Sequence, residues 1–414
     1  MAFLDDIVPP PGIVRTLCLS NFAKTAGHGV LMAVSVLFFT RTVGIPAEQV
    51  GLALSIGAAM AMAASIPAGR LADALGPRNT TVGFLLLLGV FVGAYAFVES
   101  FAALVVVTSL ALMAESSTDA ARGALIAGLI PQEERVRAWS YMRAVSNLGV
   151  TLGAAAGAVA LWFDNRPAYI GLLIAGGVMF LIAGAAYTTV PSVAPVPKES
   201  SGPKWVVLRD LPYAAVALLN SVLVMNVAIL TVALPIWITG HTNAPKWLYS
   251  VILILNTIMV VLFQVRAGKG SENIRGGART LRRCGVFLAV CCGLFALAAD
   301  RPVWVAVAAL LAGAVVHVIG EMLYSAGSWS LAFGLAPDHA QGQYQGMFGM
   351  STQLGSMVTP ALATLLIVRL GWPAWIVFAA LLLAAGLAAP AVASWAERTR
   401  EQAPETGTEA AVTS

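Results

Sequence analysis

The stretch GRLADALGPR, residues 69–78, is a short charged turn between two long apolar segments. Over the 414 residues, apolar side chains make up 59% and charged side chains 11%, with a mean hydropathy of +0.83. Soluble globular domains carry about 25% charged residues, so the composition excludes a water-soluble fold. The turn is then a loop between two membrane helices, and the sequence predicts an all-α polytopic membrane protein.

Long apolar segments recur along the whole chain. A bilayer core of about 30 Å is crossed by about 20 helical residues, and about twelve segments of this length can be counted. The predicted spans are 14–40, 46–70, 79–98, 101–130, 137–163, 167–190, 209–239, 245–267, 279–299, 302–335, 343–368 and 371–396.

A proline-rich polar stretch divides these helices into two sets of six. The predicted organisation is an N-terminal segment 1–13, a bundle 14–190, a linker 191–208, a second bundle 209–397 and a disordered tail 398–414. The start of the chain is acidic and proline-rich, so we expect no cleaved signal peptide.

Lysine and arginine are distributed unevenly between alternate loops. The loops on the side of the N-terminus hold about sixteen of them, and the opposite loops hold about five. Positively charged loops stay in the cytoplasm, so both termini are predicted to be cytoplasmic in a protein of the cell membrane. This asymmetry accounts for the net charge of +4, and no nucleic-acid partner is expected.

The two halves resemble each other at fixed offsets. An offset of 199 maps Gly69, Asp73 and Asn21 onto Gly268, Glu272 and Asn220, and an offset of 206 maps Glu115, Pro131 and Gly149 onto Glu321, Pro337 and Gly355. A repeat of six plus six helices is the plan of secondary transporters, whose binding site lies between the halves near the bilayer midplane.

Charged and titratable side chains inside the membrane are predicted in two layers. A charge at the bilayer centre costs roughly 2.5–3.5 kcal/mol, so each is a functional candidate. The central layer holds His28, Glu115 and Glu321, and the inner layer, nearer the cytoplasm, holds Lys24, Asp119, Arg122 and Arg143.

Glu115 and Glu321 are the first candidates for carrying a coupled proton. Neither has a lysine or arginine three or four positions away on its own helix, although His317 lies one turn from Glu321. A carboxyl group in an apolar cavity can exchange a proton near neutral pH. Asp119 and His28 are further candidates. The alternatives are structural: hydrogen-bonded glutamic acids, and an Asp119–Arg122 pair that only neutralises charge.

Other polar and aromatic residues on the same helices are predicted to line a substrate cavity. The predicted lining is Asn21, Lys24, Arg122, Arg143, Asn147, Asn220, Met225, Asn226, Trp237, His317, Tyr324 and Gln353. Methionine and aromatic surfaces, here including Trp329, adapt to ligands of many shapes, which suits hydrophobic or amphiphilic substrates.

The loop 69–78 resembles the signature of the major facilitator superfamily, Gly-x-Leu-Ala-Asp-Arg-x-Gly-Arg-Lys. Gly69, Leu71, Ala72, Asp73, Gly76 and Arg78 match this pattern, whereas Ala74 replaces its first basic residue. The resemblance covers nearly the whole chain. It implies that Gly69, Arg70, Asp73, Gly76 and Arg78 form a gate that fastens helix two to helix eleven in one state. The alternative is that the arginines only fix topology.

Helix five carries glycines at every fourth position. Gly149, Gly153 and Gly157 resemble the antiporter motif of drug-exporting members, Gly-x-x-x-Gly-Pro-x-x-Gly, with Ala154 in place of the proline. This resemblance implies export. Small residues spaced by four also allow helices to pack closely in any membrane protein, and that explanation stays open.

Together these patterns predict a proton-coupled exporter of drugs or natural products that works by alternating access. A nutrient importer of the same fold and a transporter-like sensor are the alternatives. No phosphate loop, hydrolase motif or metal-ligand spacing occurs, so we expect no enzyme, cofactor or metal site. The expected partners are a small-molecule substrate, protons and the lipid bilayer, and a monomer suffices.

Overall fold

A computed structural model describes residues 7–195 and 205–401. These residues form helices and no strand. The predicted linker and tail, 191–208 and 398–414, lie partly or largely outside the described residues, as does the first part of segment 1–13. What the sequence predicts for those stretches stays a prediction.

Twelve long helices, here α1–α12, run through the described part of the chain. Their bounds are α1 Ile13–Val43, α2 Ala47–Leu75, α3 Pro77–Ala94, α4 Phe101–Leu129, α5 Gln132–Phe163, α6 Arg166–Tyr187, α7 Leu211–His241, α8 Leu248–Ala267, α9 Ile274–Leu297, α10 Val303–Gly334, α11 Gln341–Leu370 and α12 Pro373–Glu401. Each lies within a few residues of a predicted span.

Eleven of the described helices are long and apolar enough to cross a membrane, and α5 is not among these eleven. The chain is nevertheless packed as a polytopic protein, because α5 runs along α1. Gly149 lies near the carbonyl group of Phe22, and Gly157 lies near Ala33, more than two turns further along both helices. The prediction of an all-α polytopic membrane protein is confirmed.

Helix α7 is irregular in its second half. A widened turn at Ile229–Ala233 separates Leu211–Leu223 and Met225–Ala228 from the last part, Leu234–His241. Pro235 follows this turn, and proline has no N–H to donate to the preceding turn. Widened turns of this kind relieve the lost hydrogen bond and bend the helix.

Each half of the chain has its own apolar core. Phe38, Tyr169 and Phe180 are fully buried in the first, and Trp237 and Trp375 are fully buried in the second. The structure thus contains two helical bundles rather than one continuous core.

Equivalent asparagines connect equivalent helices in the two halves. Asn21 on α1 donates a hydrogen bond to Ser146 on α5 at 2.7 Å. Asn220 on α7 donates to Ser351 and Thr352 on α11, both at 2.9 Å. Asn21 and Asn220 are related by the offset of 199, and Ser146 and Thr352 by the offset of 206. The repeat therefore extends to the contacts between helices.

The bundles meet at the end of the molecule where the loop 69–78 lies, here called the closed end. Asp73 on α2 accepts hydrogen bonds from the backbone N–H groups of Gly342 at 2.7 Å and Gln343 at 3.1 Å on α11. Further into the molecule, two turns from Asp73 on α2 and one turn from Gly342 on α11, the Ser65 hydroxyl donates to the carbonyl of Gly346 at 2.7 Å. Further along α11, residues such as Val358 are exposed. The first third of α11 therefore binds α2, and exposed residues follow further along the helix.

Candidate functional site

A cavity of about 360 Å³ lies between the two bundles, next to the closed end. Its lining includes Asn21, Ser116, Asp119, Arg122, Trp139, Arg143 and Ser146 from the first bundle, and Val224, Tyr324, Trp329, Gln345, Phe348, Thr352, Gln353 and Ser356 from the second. The sequence repeat predicts a site at this position, between the halves.

One cluster of charges in the cavity wall belongs entirely to the first bundle. The Asp119 carboxylate lies 2.5 Å from the Lys24 ammonium group and 3.0 Å from the Arg122 guanidinium. Arg122 also donates to the side-chain oxygen of Asn21. Two cations therefore share one carboxylate, which brings together three of the four residues predicted for the inner layer.

Arg143, the fourth residue of the predicted inner layer, has a different partner. Its guanidinium lies 2.7 Å from the carboxylate of Glu321 on α10, in the other bundle. Asn256 on α8 donates to the second oxygen of this carboxylate at 2.7 Å, and His317 lies 4.0 Å away. Arg143 lines the same cavity as Asp119 and Arg122, but its carboxylate partner comes from the other bundle. Helix depth alone does not show which bundle a side chain faces.

Glu115 lies outside the central cavity. Its carboxylate is 3.0 Å from the imidazole of His28, and both residues line an apolar pocket of about 140 Å³ between α1, α2 and α4. Neither lines the central cavity. The predicted central layer is thus two sites, since Glu115 and Glu321 each pair with a different basic residue.

Five of the residues predicted to line the cavity do so, namely Asn21, Arg122, Arg143, Tyr324 and Gln353. Two more lie directly behind them. Lys24 is buried against Asp119, and Asn220 accepts a hydrogen bond from the Tyr324 hydroxyl at 3.0 Å.

The other predicted lining residues lie elsewhere. Trp237 donates to the carbonyl of Phe295 at 2.8 Å inside the second core, where Met225 is also buried. His317 pairs with the backbone carbonyl of Asn226 at 3.0 Å, and both side chains are buried. Asn147 does not line the cavity. These assignments are corrected because polar residues on a cavity helix also face its neighbours.

Two of the four aromatic residues that line the cavity, Tyr324 and Trp329, are predicted from the sequence, and two are not. The rings of Trp139 and Trp329 lie 3.6 Å apart between their centroids, and Phe348 lies 4.9 Å from Trp329. Trp139 and Phe348 are the two that are not predicted. A signal existed for Trp139, since it precedes Arg143 by four residues and therefore shares its helix face.

The predicted gate residues lie at the closed end. A side chain on Gly69 would overlap the backbone carbonyl of Gly342, so the backbones of α2 and α11 are in direct contact here. The Arg70 guanidinium lies 5.0 Å from the centre of the Trp205 ring. Gly69 and Asp73 thus form the contact itself, and Arg70 lies at its edge.

The last two gate residues shape the turn. Gly76 has a φ of +90°, which favours glycine, and Pro77 follows it as the first residue of α3. Arg78 donates to the carbonyl of Val190 at 3.3 Å, within the first bundle. These two residues therefore fix the loop.

The helix-five glycines all face α1. A side chain on Gly149 or Gly153 would meet the backbone of α1, and one on Gly157 would meet Ala33. Helix packing thus explains all three positions, and the export that the motif implies stays a prediction.

The chain matches one protein family over most of its length. The family model described as Major Facilitator Superfamily matches residues 17–351. Multidrug resistance protein MdtH of Aeromonas hydrophila subsp. hydrophila is 27% identical over 348 residues, which cover 82% of this chain and 84% of that protein.

Two solved structures show the same fold. The crystal structure of the human organic anion transporter MFSD10 (TETRAN) has a TM-score of 0.69 at 15% identity, and covers 92% of this chain and 100% of its own. The crystal structure of the transporter FucP in the outward conformation has a TM-score of 0.70 at 14% identity, and covers 92% of this chain and 98% of its own.

Proposed function

The chain belongs to the major facilitator superfamily, and from this premise we propose that it exports small hydrophobic or amphiphilic molecules in exchange for protons. It is a multi-pass membrane transporter and not an enzyme. The similarity to a multidrug resistance protein supports efflux as the direction. The observation that carries proton coupling is the ion pair between Arg143 and Glu321, because it joins the two bundles.

This ion pair responds to any movement that opens the closed end. Arg143 and Glu321 lie on helices of different bundles, so separation of the bundles there removes the arginine from the carboxylate. Glu321 is only 6% exposed. Breaking a buried ion pair costs about 3–5 kcal/mol, because it leaves an uncompensated charge. Glu321 avoids this cost by taking up a proton.

The direction of exchange follows from this cycle. A proton that reaches Glu321 through the cavity cancels its attraction for Arg143 and allows the closed end to open. Loss of this proton on the other side restores the carboxylate, which draws Arg143 and the bundles together again. A substrate that is carried on this return step moves opposite to the proton.

The distribution of lysine and arginine among the loops supports one orientation of the protein in the membrane. The positively charged loops favour a cytoplasmic closed end and cytoplasmic termini, so the cavity described here opens outwards. The similarity to FucP, whose structure is in the outward conformation, agrees with this proposal. We propose two bundles, 14–190 and 209–397, that function as a monomer, with proton coupling through Glu321 and the gate at Asp73.

The test measures loss of a respiration-generated pH gradient in everted membrane vesicles. Cationic, neutral and anionic drugs are added to vesicles with wild type, Glu321→Gln, Glu115→Gln or Glu48→Gln. Glu48 is exposed at the start of α2 and serves as the matched control. We expect a drug-dependent loss of the gradient that Glu321→Gln abolishes and Glu48→Gln leaves unchanged.

Two results would contradict the proposal. Full activity of Glu321→Gln would show that another group carries the proton, and loss in Glu115→Gln alone would identify that group. Drug accumulation in right-side-out vesicles that follows the inward proton gradient would show import.

A further inference from the structure

Two arginine side chains of the central cavity hold a buried donor that lacks an acceptor among the described residues. These are the Nε–H groups of Arg122 and Arg143. The Arg122 residue is only 8% exposed, and its other nitrogens bind Asp119 and Asn21. Buried N–H groups in folded proteins nearly always have a partner. Both arginines line the same cavity, so one ligand placed there can supply acceptors to both side chains.

The fixed charges around the cavity favour an anion. Lys24 and Arg122 share the single carboxylate of Asp119, and Arg143 is matched by Glu321. Glu115, one turn from Asp119 on α4, is paired with His28. With this pair counted as neutral, that is, with a protonated imidazole, one positive charge is left over. Because Lys24, Arg122 and Glu321 are buried, this excess charge is screened less than it would be at a surface.

Aromatic rings surround the same arginines. The Arg122 guanidinium lies 5.3 Å from the centre of the Trp139 ring, which packs against Trp329 of the other bundle at an interplanar angle of 32°. Phe348 extends this group of rings along α11. A planar aromatic ligand can pack against them while its acidic group reaches the arginines.

We infer that the transported substrates are aromatic monoanions, whose carboxylate accepts hydrogen bonds from Arg122 and Arg143 and whose ring packs on Trp329 and Phe348. This inference rests on the proposed transport function and specifies the charge of its substrates. The cavity volume of about 360 Å³ lies within the range of about 300–1,000 Å³ that is usual for ligand sites.

The test is equilibrium binding to the purified protein by isothermal titration calorimetry. Three ligands of nearly equal shape are compared at one pH: 1-naphthoate, neutral 1-naphthamide and cationic 1-naphthylmethylammonium. We expect naphthoate to bind at least tenfold more tightly than either analogue. Arg122→Gln removes both the charge and Nε, and is expected to weaken naphthoate binding at least tenfold. Arg122→Lys keeps the charge alone, and an intermediate loss is expected.

Matched variants separate ligand binding from folding. Arg283→Gln removes an exposed arginine on α9 and serves as the control. The double variant Arg143→Gln/Glu321→Gln removes an ion pair as a unit, so no buried charge is left unpaired. It is expected to weaken naphthoate binding even if Arg122→Gln does not fold.

Three results would overturn the inference: preference for the ammonium ligand, equal affinity for all three ligands, or unchanged naphthoate binding in both the Arg122 variant and the double variant. Selective binding of the ammonium ligand would leave proton-coupled export intact. Selective naphthoate binding without any drug-dependent loss of the pH gradient would support the substrate class and contradict proton coupling.

Discussion

The contact between Gly69 and Gly342 predicts that one methyl group can shift the whole transporter between states. In Gly69→Ala, the new Cβ overlaps the carbonyl group of Gly342, and only backbone atoms are available to move. The closed end must therefore separate, which removes the hydrogen bonds from the Gly342 and Gln343 N–H groups to Asp73.

The two lost hydrogen bonds determine how far the equilibrium between the two states of the transporter shifts. Each has a charged acceptor and is worth about 1.5–3 kcal/mol, so together they contribute roughly 3–6 kcal/mol to the closed end. Because 1.4 kcal/mol corresponds to a factor of ten, the equilibrium shifts by about two to four orders of magnitude. Inverting a two-state population from 99:1 to 1:99 needs about 5.5 kcal/mol. Gly69→Ala is therefore expected to move most molecules to the opposite state.

Spin labels across the opposite end measure this shift. Leu52→Cys on α2 and Leu365→Cys on α11 place labels at exposed positions of the two bundles. The four native cysteines are buried and do not compete for the label. Double electron–electron resonance is expected to show a shorter distance in Gly69→Ala than in the parent.

Gly51→Ala is the matched control, because it lies on the same helix and has no atom within 4 Å of the added Cβ. Its distance distribution should equal that of the parent. The reasoning is refuted if the distribution for Gly69→Ala also stays unchanged in folded protein.

Three further predictions concern stability. Gly153→Ala forces α5 away from α1 and is expected to lower the free energy of unfolding by about 1–3 kcal/mol, which is measured as a lower Tm in detergent. The control Gly171→Ala has open space around the added Cβ and should leave the Tm unchanged. Equal Tm values for the two variants would contradict the close packing of α5 on α1. Trp237→Phe loses the hydrogen bond to the Phe295 carbonyl and should lower the free energy of unfolding by about 1 kcal/mol without loss of transport. Unchanged stability together with loss of transport would indicate that Trp237 contacts the substrate. The native cysteines, Cys18, Cys284, Cys291 and Cys292, should resist maleimide until the protein unfolds, and rapid labelling of folded protein would contradict their burial.

The helices and the gate could be predicted because their signals are local. Hydrophobic length defines the spans, and the turn at Gly76 needs a residue with positive φ. The equivalence of Asn21 and Asn220 was also visible, because a repeat preserves offsets. These features depend on a few neighbouring residues or on self-comparison of the chain.

The pairing of charges could not be predicted in the same way. Depth along a helix placed Arg143 near Arg122, but its orientation towards Glu321 depends on how α5 and α10 cross between bundles. The same limit applies to Trp237, whose partner Phe295 is 58 residues away. Sequence spacing determines which residues share a face, whereas packing determines what that face meets.

The unequal partners of Glu115 and Glu321 have a consequence for the two halves as separate polypeptides. The first half would retain the partner of Glu115 and both partners of Asp119. Glu321 in the second half would lack its arginine and could regain it only by assembly with the first half. If the second half is unstable alone, co-expression with the first half should therefore stabilise it. In the first half, Arg143 alone of these paired residues would lose its ion-pair partner. Of the two equivalent acids, one is thus paired within its own half and the other only across the two halves.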